Sequence, residues 1–241
     1  MTQAEDSEKP ERTRNGHDKG IGNGSEHAPE NGPTSDSDRN LDEAGRRRKR
    51  TNAYLAMWAI EADISIIPIP TSHEVAVQSV ENVVGRAKVY CLTSLKGQGL
   101  SQHEVFAFAD AYDVWDHLDH YENDYVLDPD PSPASNINYA WRCEALWAAE
   151  FVLGFVRHLG YPDHPSDPAK SVELCIQEIC AKTDRKHTLR PVKELLDTAD
   201  VTRCLDAVSR VFKDRHESPP SGLQGGVVAE RLGFFSWLIA G

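Results

Sequence analysis

The sequence predicts an all-α fold: a compact multi-helix orthogonal bundle, with at most a minor extended or β segment near 62–70, behind a disordered N-terminal tail. Three observations carry this expectation. Residues 139–159 place apolar side chains around most of a helical circumference. Elsewhere, apolar residues recur at helical spacing between recognisable start and stop signals. Residues 1–42 are instead rich in Asn, Gly, Ser, Pro and charged residues, with Ile21 and Leu41 almost their only large aliphatics. Such a segment buries too little apolar surface to offset its chain entropy. Residues 43–241 are expected to form one helical domain, long enough for a real core.

The first helix is expected over residues 46–61, where the basic run Arg46–Arg50 leads into Tyr54, Leu55, Trp58 and Ile60. A run of this kind can touch phosphate or act as a localisation signal, but the simpler reading is the solvated start of a helix. The prolines of Ile64-Ser-Ile-Ile-Pro-Ile-Pro70 allow an extended segment and oppose a helix. Ser79 opens a helix through Val83, Ala87 and Cys91, closed at Gly97 or Gly99. Ser101 with Glu104 forms a capping box before Val105, Phe108 and Tyr112. Asp119 with Glu122 marks another start, stopped by Pro129.

The stretch 139–159 reads as one long helix ending at Gly160, with Pro162 preventing continuation. With Trp141 at the centre of the stripe and about 100° per residue, Cys143, Glu150, Gly154 and Arg157 form a narrow polar strip. Arg142 and Glu144 fall inside the apolar arc. An isolated buried ion is costly, so each is expected to find a partner on another helix. Arg86, Arg190, Asp200, Glu230 and Arg231 are the candidates for that buried network, which is also the candidate ligand site. Asp167-Pro168 pairs an N-cap with proline at the first helical position and opens a helix through Val172, Leu174, Cys175, Ile179 and Cys180. A short helix over 191–196, a longer one over 200–213 and a last one over 227–239 complete the set.

The formal net charge is −12, and the first 50 residues nearly cancel among themselves. The acidity therefore belongs to the helical part and argues against general nucleic-acid binding, which needs a positive footprint. The tail has no hydrophobic signal region, and no run approaches a membrane span. A cytoplasmic protein is expected. The five cysteines, Cys91, Cys143, Cys175, Cys180 and Cys204, are an odd set without the spacing of a redox or zinc motif. They read as reduced core or boundary thiols.

Chemistry-bearing clusters are sparse. Asp116, His117, His120 and Asp124 could face one metal if they shared a continuous helix, with His117 and His120 as the histidine candidates. The helix start at Asp119 scatters them, so a solvated connector is the better reading, and no metal or other cofactor is expected. Asp163 and His164 lack a nucleophile in a recognisable turn. Gly222, Gly225 and Gly226 lead into a helix without a phosphate-binding glycine pattern. The five tryptophans, Trp58, Trp115, Trp141, Trp147 and Trp237, could line a pocket but at this spacing read as core.

Three motifs carry a family resemblance. Trp141-Arg-Cys-Glu-Ala-Leu-Trp147, then Leu189-Arg-Pro191 with Glu194, Leu196-Asp197 and Ala199-Asp200, then Val227-Val228 with Glu230-Arg231 and Trp237-Leu238 occur in the order of domain-of-unknown-function family 4272. The chain resembles that family from about Arg47 onward, and Arg86-Ala87 is similar to a further family feature. Leu205-Asp206 departs from it, standing where a histidine–tryptophan-like pair is expected, and the chain stops at Gly241 where relatives often continue with an acidic segment. The resemblance implies the helical fold and no mechanism. The functional expectation is a non-catalytic module that binds a protein partner. The alternative is an enzyme or small-ligand binder with a polar cleft around Arg142, Glu144 and Arg231. Neither a membrane nor nucleic acid is expected as a partner.

Overall fold

Asp42 accepts a hydrogen bond from the Gly45 amide and so starts helix α1 at Glu43–Met57. The structure is a computed structural model, and it describes residues 41–60, 71–181 and 186–240. The tail expected to be disordered and the extended segment expected near 62–70 lie outside the described residues. Helix α1 ends four residues short of the expected boundary. Ala59 takes a left-handed conformation (φ 54°) and the Ile60 amide turns back to the Leu55 carbonyl.

Helix α2, Val80–Gly97, starts at the Ser79 cap, and α3, Gln102–Ala111, at the expected Ser101–Glu104 capping box. After a short 3₁₀ turn, a second capping box between Asp119 and Glu122 opens α4 at His120–Leu127. Each box satisfies amide groups that a helix start leaves without partners.

The expected long helix over 139–159 is divided and shortened. Ser132 and Pro133 start α5, Pro133–Ala140, and α6 occupies Arg142–Val152. The division at Trp141 lets both segments pack along α2. The approach of α5 is close: a Cβ at Gly97 would sit 2.5 Å from the Ala140 amide nitrogen. Gly154 (φ 84°), not Gly160, lies at the end of α6. Phe155, Val156 and Leu159 therefore belong to a loop, although the apolar periodicity placed them on the helix.

The Asp167 cap opens α7, Pro168–Leu174, which continues as a π-helical turn over Cys175–Cys180. The two helices expected in the next region are one, α8, at Val192–Asp214. Asp200 does not cap a helix start. Its carboxylate is taken by Arg48 and Thr51 of α1, and no breaker separates the two halves. Helix α9, Gly225–Leu238, closes the described domain. Among the described residues there is no strand.

Three apolar clusters hold these helices together. The largest joins α2, α6, the α7 and π-turn segment, α8 and α9, through residues such as Val83, Leu146, Ile179, Leu195 and Phe235. A second joins α1 to the Tyr161 loop, α8 and α9 through Leu55, Leu205, Leu223 and Val228. A third joins α2, α3 and α4 through Val89, Leu92, Val105 and Val126. All five cysteines are buried and free, as the composition suggested. The tryptophans are less buried than expected: none is in the fully buried set, and Trp141 is exposed.

Candidate functional site

Helix α1 is attached to α8 by a seam of charges. Arg48 donates to both oxygens of Asp200 at 3.1 and 2.6 Å, and Thr51 donates to the same carboxylate at 2.7 Å. One turn away, Arg50 donates to both oxygens of Asp197 at 3.1 and 2.7 Å. Arg47, 1% exposed, bridges Glu43 at 3.0 Å and approaches Asp197 at 3.3 Å. Arg47 and Arg48 of the basic run are therefore drawn into this seam, whereas Arg46, Lys49 and Arg50 stay exposed, as a solvated helix start would. A helix places residues three and four apart on one face, and here that face meets carboxylates on a neighbouring helix.

Beside this seam, α1 and α8 separate around a cleft of about 540 Å³. Its aromatic side comes from Tyr54 of α1 and Trp58 at the C-terminal cap of that helix, with Tyr161 of the loop after α6. Trp58 and Tyr161 stack with centroids 4.0 Å apart and ring planes inclined by 17°. Phe151, Val201, Leu205 and Val228 add apolar surface, while Thr51, Thr198 and Thr202 supply hydroxyls. The Tyr161 phenol donates to the Pro220 carbonyl at 2.9 Å, and burial pushes its pKa up to about 12. Burial also raises the Tyr54 phenol, against an opposing pull from the Arg231 charge.

Arg231 of α9 lines the cleft and is 5% exposed. Its guanidinium meets Glu144 of α6 at 3.1 Å and donates to the Leu159 and Gly160 carbonyls at 3.3 and 3.4 Å. Glu144, 0% exposed, also accepts from the amide and hydroxyl of Ser166 at 2.5 and 2.9 Å. The pair thus has the additional hydrogen bonds that a buried ion pair requires. The expectation that Glu144 is buried and matched from another helix holds.

Arg142 meets the second half of that expectation, a partner on another helix, and departs from the first. Its side chain is 38% exposed and pairs with Glu230 at 3.0 Å. The break at Trp141 makes Arg142 the first residue of α6, where the sequence had placed it within one continuous helix. Burial raises the Glu230 carboxyl, with Arg142 opposing the rise. Neither Arg142 nor Glu144 lines the cleft, so the polar cleft expected around Arg142, Glu144 and Arg231 is represented at its wall by Arg231.

The remaining candidates are spread through the fold. Arg190 holds the loop after α6 through the Phe151 and Val156 carbonyls and pairs with Glu194, which lines the cleft. Asp200 belongs to the α1–α8 seam. Arg86 lies elsewhere, bound to both oxygens of the buried Glu122 at 2.7 and 2.5 Å. Burial works to lower the Arg86 pKa, but the Glu122 carboxylate outweighs it and holds it above its ordinary value. His117 is exposed with its ring against Gly85, and His120 faces Asp124 at 3.5 Å on the surface. No group of metal-binding side chains occurs among the described residues.

Several contributors were not foreseen. Tyr54 and Tyr161 gave no ligand-type pattern, one near a helix end and the other in a loop, whereas Trp58 takes the pocket role that the sequence had set aside in favour of core. Glu150 was assigned to the polar strip, yet it is 0% exposed. Its Oε2 accepts from Ser171 at 2.9 Å while its Oε1 lacks a hydrogen-bond partner.

Fold and site together define a helical domain with a preformed cleft between its first helix and its two last. The chain belongs to the family described as Domain of unknown function (DUF4272), whose model matches residues 47–241. No curated protein and no solved structure matches it.

Proposed function

We propose that the protein is a non-catalytic binding domain whose α1–α8 cleft receives a small molecule. The observation that carries this reading is the cleft itself: a concave, aromatic-walled space of about 540 Å³, within the size range of small-molecule sites. Its ionised lining groups Arg50, Arg231, Glu194 and Asp197 each have a counter-charge at 3.1 Å or less. These matched charges suit binding, while His158 on the same lining is the side chain through which acid–base chemistry would have to run.

A thermal-shift screen of small aromatic compounds tests the reading. Compounds that raise the Tm of the full chain should leave Thr198→Phe unmoved, because the larger side chain occupies the cleft. A screen in which no compound shifts the unaltered chain would sink it.

Recognition of another protein is the second reading. It is favoured by Tyr121, Leu127 and Ile137, large apolar residues exposed on α4 and α5. Cross-linking in extract should then give a discrete adduct that Ile137→Glu abolishes. An adduct unaffected by Ile137→Glu would count against that surface.

A further inference from the structure

Helix α7 passes into the π-helical turn Cys175–Cys180, which carries a thiol at each end. In an α-helix, residues five apart lie about 140° from each other around the axis, so thiols at this spacing would face different sides. A π-turn bonds each residue to the fifth one along and brings its two ends onto one side. The two sulfurs are accordingly 3.9 Å apart. A spacing that matches no redox motif in the sequence thus becomes a facing pair in the fold.

Both thiols are free. Cys175 is 0% exposed, whereas Cys180, the last residue of the turn, is 5% exposed. Cys91 of α2 also interacts with Cys175, but it reaches the pair from another helix. Hydrogen bonding to Cys175, reinforced by burial, pushes the Cys180 thiol above its ordinary range. For Cys175 the contact with Cys180 works downward, but Cys91 and burial outweigh it and raise that thiol too. Both thiols are therefore slower to react than an exposed one. What sets them apart is proximity: the sulfurs need approach by only roughly 2 Å to reach bonding distance.

We propose that Cys175 and Cys180 form a modification site, oxidised by a small peroxide to a disulfide that closes across the π-turn. The less enclosed Cys180 sulfur attacks one oxygen of hydrogen peroxide. The O–O bond breaks, water leaves, and Cys180 becomes a sulfenic acid. The Cys175 sulfur then attacks the Cys180 sulfur. An S–S bond forms, the S–O bond breaks, and a second water leaves with the Cys175 proton. Two thiols and one peroxide give one disulfide and two waters, with two electrons passing from sulfur to oxygen. Capture by the neighbouring thiol stops Cys180 short of the irreversible sulfinic acid.

Peptide mass spectrometry tests this on the full, folded chain. It is treated with graded hydrogen peroxide, blocked with iodoacetamide in denaturant and digested with trypsin. Both cysteines then lie in the peptide Ser171–Lys182, and Cys91 lies in Val89–Lys96. Met57, 77% exposed, reports the dose by its conversion to the sulfoxide. At a dose that converts Met57, Ser171–Lys182 should escape alkylation and weigh two hydrogens less than its dithiol form. Dithiothreitol should restore both thiols. Cys91→Ser should form the same link, and the unaltered chain decides the matter if that variant fails to fold.

Alkylation of both cysteines at that dose would overturn the proposal and leave them as core thiols. A link between Ser171–Lys182 and Val89–Lys96 would overturn it in favour of the Cys91 contact. Sulfinic acid at Cys180 in place of the link would show that Cys175 does not capture the intermediate, and would overturn it as well.

Discussion

Glu150 lies on α6 beside Ser171, with one carboxylate oxygen hydrogen-bonded and the other without a partner. Burial pushes its pKa up to about 8, while the Ser171 hydroxyl works against the rise. An unfolded glutamate ionises near its ordinary value, so the folded state holds the proton more tightly between these two limits. The contribution to stability is full below the unfolded pKa and is lost as pH rises through that window towards 8. A tenfold difference in proton affinity between the two states corresponds to about 1.4 kcal/mol. Urea unfolding at pH 5 and pH 8.5 should show the unaltered chain weakening on the alkaline side. Glu150→Gln should flatten the profile and be the more stable form at pH 8.5, by on the order of 2 kcal/mol. A profile that the substitution leaves unchanged would contradict the buried acid. The two candidate charges of α6 should separate just as clearly. Arg231→Met strands a fully buried Glu144 and should cost roughly 3–5 kcal/mol. Arg142→Met removes a half-exposed pair and should cost less than about 1 kcal/mol. Equal losses in denaturant titrations would refute the distinction.

Helix α1 depends on its charged seam with α8 as well as on Leu55 and its neighbours in the second apolar cluster. Asp200 is the joint in that seam, since it takes both Arg48 and Thr51. Asp200→Asn should therefore loosen α1 while leaving α2 and α6 protected. Hydrogen exchange followed by mass spectrometry should show faster exchange in residues 43–57 and little change in 142–152. Uniform acceleration would mean that the seam supports the whole domain. At the α2–α5 crossing, the backbones approach so closely that a methyl group at Gly97 meets the Ala140 amide at 2.5 Å. Gly97→Ala should cost about 1–3 kcal/mol through overpacking, whereas helix propensity alone would make the same change favourable. The sign of the measured change decides between them.

Across the described domain, α2, α8 and α9 each serve more than one apolar cluster. Loss of one cluster should therefore weaken its neighbours, and thermal unfolding followed by circular dichroism and by tryptophan fluorescence should give coincident transitions. Much of this architecture was legible in the chain. The caps at Ser79, Ser101, Asp119 and Asp167 are local signals, satisfied by amides two or three residues away, so no distant partner was needed to read them. The buried state of Glu144 followed from its place in an apolar arc. The break at Trp141, the continuity of α8, the exposure of Arg142 and the burial of Glu150 depend on what lies opposite each residue. A helical wheel drawn on one straight segment lacks that information. The aromatic wall of the cleft was hidden for the same reason, since Trp58 and Tyr161 lie far apart in the chain and meet only when α1 folds onto the loop after α6.

The sequence by itself determined the all-α class, the family and most helix starts, because periodic burial and capping act over a few residues. The tertiary structure alone decided which charges are neutralised, where the long apolar stretch bends and that a cleft opens beside the α1–α8 seam. Those outcomes are set by the packing of surfaces distant in the chain, where close approach and desolvation override local preference.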